Sequence, residues 1–100
     1  MSNWEVAEFA IVQGTAGKFE QAVIESVPLF QRAQGCLSFE LHRAVDKPDT
    51  FLLMIEWESV GHHTEIFTAT ADFKTFVDRV SPYWDGDPRV FHTIQSGAGF

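Results

Sequence analysis

The chain has 100 residues, 45% of them hydrophobic and 14% aromatic, including ten Phe and three Trp. That length makes one domain over residues 1–100, too small to hide all its apolar surface, so a second subunit is expected to cover part of it. Fourteen acidic against seven basic residues, a formal charge of −7 and no Lys/Arg cluster argue against nucleic acid and anionic membrane as partners.

The opening "MSNWEVAEF" lacks the basic-then-apolar pattern of a signal peptide. No apolar run approaches the ~20 residues needed to span a bilayer. "WEVAEFAIVQ", residues 4–13, alternates loosely: Ala7, Phe9 and Ile11 share one parity, and Val6, Ala10 and Val12 the other. Both sets are apolar, which predicts a strand covered on both faces. "GTAG" is a turn, after which Thr15 or Gly17 starts a helix. From Lys18 to Gln34 the apolar residues Phe19, Ala22, Val23, Val27, Phe30 and Ala33 recur at steps of three and four, one helical stripe. Pro28 is expected to kink or split it, and Gly35 to stop it.

"CLSFELHRAV" alternates cleanly, with Leu37, Phe39 and Leu41 on one side and Ser38, Glu40 and His42 on the other. Its single cysteine, Cys36, has no internal disulfide partner, which suits a reducing cytoplasm. After the turn "DKPDT", "FLLMIEW" returns as an antiparallel strand, apolar on both parities from Phe51 to Ile55. Ser59 suits the cap of a following helix. That helix carries Val60, His63, Ile66 and Phe67 at helical spacing; "TATA" interrupts it, and Phe73, Phe76, Val77 and Val80 make a second stripe ending at Ser81-Pro82. "YWDGDP" is a loop and "RVFHTI" a last strand. The order βαββαβ predicts an α+β ferredoxin-like sandwich with helices on one sheet face. The other face is apolar in the first and third strands. Two antiparallel sheets are therefore expected to pack face to face in a homodimer.

"WESVGHHTEIFTATADFKTF" resembles the antibiotic biosynthesis monooxygenase family of dimeric α/β-barrels. The resemblance rests on Trp57, Glu58 and Ser59 after the third strand, His63 on the next helix, Phe67 one turn later and Phe73 on the second helix. "GCL" at Gly35–Leu37 and "DPRV" at Asp87–Val90 also fit. It implies an oxygenase that uses no metal, flavin or haem and acts on a small quinol, phenolic or polyketide-type compound. Such substrates, once deprotonated, donate an electron to O2 directly. Polyketide-tailoring members carry an Asn where Leu53 stands and an Arg near the place of Val77. Haem-degrading relatives carry a His near the place of Phe76.

His63 is the candidate catalytic base or hydrogen-bond partner, on the stripe facing the sheet beside Phe67. A buried histidine satisfied by a backbone carbonyl is the competing reading. His62 lies about 100° round the helix and is read as solvated, because paired metal ligands on a helix sit four apart. Trp57 shares parity with Leu53 and is expected to wall a pocket for a flat aromatic molecule, or to be core. Leu53, Phe67 and Phe76 are its expected apolar lining. Trp84, with Tyr83, makes a lid or covers a dimer seam. His42 with Glu40 is either a proton relay or a solvated strand face. His92 has no evident partner in the sequence. The function expected is oxidation of a small aromatic with O2. The alternatives are a non-catalytic ligand-binding or regulatory dimer, and an oxygen-independent isomerase or degradative enzyme.

Overall fold

The computed structural model describes residues 2–100. Four antiparallel strands, β1 (Asn3–Ala10), β2 (Cys36–Arg43), β3 (Thr50–Trp57) and β4 (Arg89–Thr93), form one sheet in the order β2-β3-β1-β4. Helices α1 (Ala16–Gln31) and α2 (Ala71–Val80) are the crossovers. This is the ferredoxin-like α+β arrangement. Among the described residues no helix is long and apolar enough to cross a membrane.

The inner face is set by strand alternation. Ala7 and Phe9 on β1 lie opposite Leu53 and Phe51 on β3, and with Ile55 and Trp57 they are all at most 3% exposed. Phe19, Val23, Leu29 and Phe30 of α1 cover them. Phe30 is an aromatic hub, with ring centroids 4.6 to 4.9 Å from Phe39, Phe67 and Phe76. The outer face carries half-buried Trp4, Val6, Leu52 and Met54, and Phe91, which is 52% exposed. Val6 pairs with both Phe91 and Met54, so an apolar row crosses three strands.

Several local expectations change. β1 ends at Ala10, and Ile11 instead makes an isolated bridge to Trp84. Pro28 does not divide α1, which runs unbroken to Gln31. The ring costs one backbone bond near the helix end, and burial of Leu29 and Phe30 holds the last turn on the core. β2 stops at Arg43, and an irregularity between Cys36 and Ser38 inserts Leu37 as an extra residue. Leu37 is thus thrown outwards, 52% exposed, while Phe39 and Leu41 keep the inner parity. The segment after Ser59 is a single helical opening at Val60 that widens into a π-helical turn, His62–Ile66, and tightens into a 3-10 turn, Phe67–Ala69. "TATA" supplies the next cap: Thr70 Oγ1 accepts from the Phe73 N–H at 3.1 Å and so opens α2.

Candidate functional site

A cavity of about 280 Å³ lies between the inner sheet face, the π-helical turn, α2 and the segment entering β4. Its walls are apolar over most of their extent: Ala7, Phe9, Leu53, Phe73, Phe76 and Val77, closed by Trp84, Pro88 and Val90. Among the residues lining it, the ionisable ones are Glu5 and His63. Val90 is 48% exposed, so the cavity opens beside β4.

Each polar group arrives by a definable route. Glu5 shares the inner parity of β1 with Ala7 and Phe9, which buries its carboxylate side chain to 9% exposure. His92 stands directly opposite it on β4. His63 comes down from the π-helical turn and is itself 9% exposed. Its ring stacks on the Trp57 indole at 5.6 Å and 20°. Trp57 Nε1–H donates to Glu5 Oε1 at 3.0 Å, and His63 Nε2 lies 3.4 Å from the same oxygen. On its other side, His63 Nδ1 is 2.9 Å from His92 Nε2.

Burial governs the electrostatics. It pushes the Glu5 carboxyl up from 4.5 to about 7, against the opposing pull of the Trp57 N–H. It pushes His63 down from 6.5 to about 4, helped by His92. An ion pair would have moved the two in the opposite directions, so the site favours an uncharged imidazole beside a carboxyl that exchanges its proton near neutral pH. Of the two, Glu5 is the better-tuned proton acceptor. Cys36 is pushed up to about 11, first by burial and then by Glu5, so it remains a thiol at neutral pH.

His63, Leu53, Phe76 and Trp84, all expected at a pocket, do line this cavity. Trp57 and Phe67 lie behind it: Trp57 is 0% exposed and touches the site through Glu5 and His63, and Phe67 packs on Trp57 at 5.4 Å. A wall of indole is therefore not what Trp57 provides; it holds the carboxyl. His42 is away from the cavity, on the exposed outer parity of β2, paired with Glu40 at 2.8 Å. It is the solvated strand face of the two readings given. His62 is not free in solvent: Nδ1 is 2.7 Å from Ser59 Oγ, Nε2 is 3.5 Å from Glu58, and its ring lies where a side chain at Gly35 would stand. The sequence pattern alone does not single out Glu5 or His92 as site residues. The available signal for Glu5 was an acid on the same parity as Ala7, Phe9 and Ile11.

Among the described residues no three of His, Cys, Asp and Glu come together as a metal-binding group. His63 Nδ1 and His92 Nε2 face each other rather than a common point.

Trp57→Phe should separate packing from hydrogen bonding. It leaves an aromatic ring at a packing cost that does not depend on pH, and removes the donor to Glu5, which stabilises the charged carboxylate more than the acid. Denaturant melts should show a cost larger by about 1–3 kcal/mol above pH ~8 than near pH ~5. Equal costs at both would mean that the N–H does not act on the carboxylate.

The sequence pattern described as antibiotic biosynthesis monooxygenase matches residues 4–79. A structure from Bordetella bronchiseptica, described as a candidate antibiotic biosynthesis monooxygenase, is 32% identical, with a TM-score of 0.93 over 95% of this chain and 97% of that one. One from Methanosarcina mazei Go1, described as a conserved protein, superposes with a TM-score of 0.84 at 14% identity, over 96% and 94% of the two chains; it shares the fold. The uncharacterised protein YczJ of Bacillus subtilis is 25% identical over 88 residues, 88% of this chain and 93% of that protein.

Proposed function

Because this chain belongs to the antibiotic biosynthesis monooxygenase family, we propose that it is a cofactor-independent monooxygenase of a small quinol or phenol, with Glu5 as the proton acceptor. The observation that carries this reading is the apolar cavity whose ionisable lining is Glu5 and His63, with the carboxyl tuned to about 7. A volume of about 280 Å³ suits one or two fused rings. His63, held neutral with its two ring nitrogens engaged by Glu5 and His92, orients the carboxyl rather than acting as the base.

The chemistry balances without a further reductant. Glu5 takes the hydroxyl proton, and the phenolate gives one electron to O2. Radical and superoxide combine at a ring carbon that carries a hydrogen, para to the oxygen in a simple phenol and ortho to it in a hydroquinone, forming a C–O bond. The peroxide anion takes a proton back from Glu5. Loss of water, with the hydrogen from that carbon, leaves the quinone. The substrate supplies both electrons; one oxygen atom enters the product and the other leaves as water.

The working unit of this proposal is a cytoplasmic homodimer joined through the outer sheet faces, where Phe91, Val6 and Met54 form the apolar row. A ligand-binding dimer without chemistry is the second reading, favoured by the apolar Leu53, Phe76 and Val77 in the cavity wall.

Oxygen uptake by metal-free protein decides between them, using hydroquinones, naphthols and anthrones as the panel. Uptake above the spontaneous rate is expected, falling about a hundredfold in Glu5→Gln. A Glu5→Gln protein as fast as its parent would remove Glu5 from the chemistry.

A further inference from the structure

His63 touches Glu5 with one ring nitrogen and His92 with the other, at 3.4 and 2.9 Å. A neutral imidazole carries one proton, so the two contacts are coupled. When Glu5 is protonated, it donates to a bare His63 Nε2. His63 then holds its hydrogen on Nδ1 and donates to His92 Nε2. When Glu5 is a carboxylate, the order reverses. His63 Nε2–H donates to Glu5, and the bare Nδ1 accepts from His92 Nε2–H. Each protonation state of Glu5 thus fixes a tautomer in both rings.

We infer that Glu5, His63 and His92 form a proton relay from the cavity to the edge of the sheet, in which His92 is the positioning residue that sets the His63 tautomer and passes the proton outwards. The O–H bond at Glu5 breaks as an N–H forms at His63 Nε2. The His63 Nδ1–H breaks as an N–H forms at His92 Nε2, and His92 releases its Nδ1 proton to solvent. One proton leaves, and at completion His63 is neutral again in its other tautomer. A concerted transfer never requires a buried imidazolium, which agrees with the direction in which burial pushes His63.

Among the described residues packed on Glu5, this is the one route through the protein. From β3, Trp57 offers Glu5 an indole N–H, a donor that does not give up its proton. From β2, the Cys36 thiol feels the Glu5 charge, but it points to the Ser38 carbonyl at 3.8 Å, is pushed up to about 11 and stays protonated. From the π-helical turn comes His63, and from β4 comes His92, which is half-buried on the edge strand. The relay rests on the proposed oxygenase reading only for what loads Glu5 with its proton.

The test needs no substrate. Ring 15N and carboxyl 13C spectra of the intact protein would be followed from about pH 5 to about pH 9, which brackets the Glu5 midpoint of about 7. Both rings should change tautomer with the same midpoint as the Glu5 carboxyl. A His63 or His92 tautomer that stays fixed while Glu5 titrates overturns the relay. His92→Gln supplies the second arm: its amide can hydrogen-bond to His63 but cannot take up and release a proton. With the fold checked by its amide spectrum and the cavity filled by naphthalene, which carries no exchangeable proton, exchange of the Glu5 proton with solvent should slow at least tenfold. An unchanged exchange rate overturns the relay. Because neither arm uses turnover, a silent oxygen assay beside coupled tautomers would count against the oxygenase reading alone.

Discussion

Glu5→Gln and His63→Gln are expected to tilt stability with pH in opposite directions, while in the parent the two groups cancel. Burial raises Glu5 from 4.5 to about 7. Its contribution is therefore fully present below about pH 4.5 and is lost as pH rises through about 7. Burial lowers His63 from 6.5 to about 4. Its contribution is present above about pH 6.5 and is lost as pH falls through about 4. Each amounts to about 3 kcal/mol at most. Between about pH 4.5 and 6.5, folding moves one proton from imidazole to carboxyl and takes up none, so the opposed slopes cancel. Relative to the parent, Glu5→Gln should gain up to about 3 kcal/mol as pH rises from about 4.5 to 7. His63→Gln should gain a similar amount as pH falls from about 6.5 to 4. Urea melts of the three proteins across that range check it, and the remaining carboxylates drop out of the comparison. Parallel curves would mean that neither group is held in its neutral form.

The strands and both crossover helices were legible because alternation and helical spacing are local patterns. The inner parity of β3, Phe51 to Trp57, and the stripe through Phe19, Val23 and Phe30 are found where expected. The site was only half legible, for reasons that are not local. Glu5 sits on the core parity of β1, but a charged side chain ordinarily marks a solvated face. Only a partner such as the Trp57 N–H, 52 positions away, makes its burial tolerable. His92 lies in a five-residue strand where Val90 and Phe91 are both apolar, so parity alone does not say which side faces inwards. The register Glu5–His92 decides it. Adjacent histidines point apart on any helix, yet which one enters the site depends on where the helix lands. Here His62 is spent on Ser59 and Glu58 and packs over Gly35, and His63 is left for the cavity. The bulge at Leu37 and the unbroken turn at Pro28 are likewise tertiary outcomes, set by pairing with β3 and by burial of Phe30.

In the proposed homodimer, Met54→Glu is expected to break the pairing and leave a monomer. Met54 lies in the row with Val6 and Phe91 on the outer sheet face. A twofold interface between two such faces would receive the substitution twice. Two carboxylates would then be buried close together. The face is already acidic, with Glu40 opposite Met54 and Glu8 and Glu56 beside the row, and its basic groups stand against those acids: Arg89 is opposite Glu8, Lys47 lies 4.0 Å from Glu8, and His42 is paired with Glu40 at 2.8 Å. A buried unpaired charge at an interface costs several kcal/mol, which weakens association on the order of a thousandfold. The cavity is on the opposite face, so the pairing of His63 with His92 should persist in the ring spectra of the monomer. Ile24→Glu is the control. It adds the same charge at an apolar position 53% exposed on α1, outside the sheet face. Sedimentation equilibrium should find Ile24→Glu dimeric and Met54→Glu monomeric. A Met54→Glu dimer as tight as the parent would move the interface off this face. Loss of the dimer in both would show that association responds to net charge, already −7 in the parent, rather than to the apolar row.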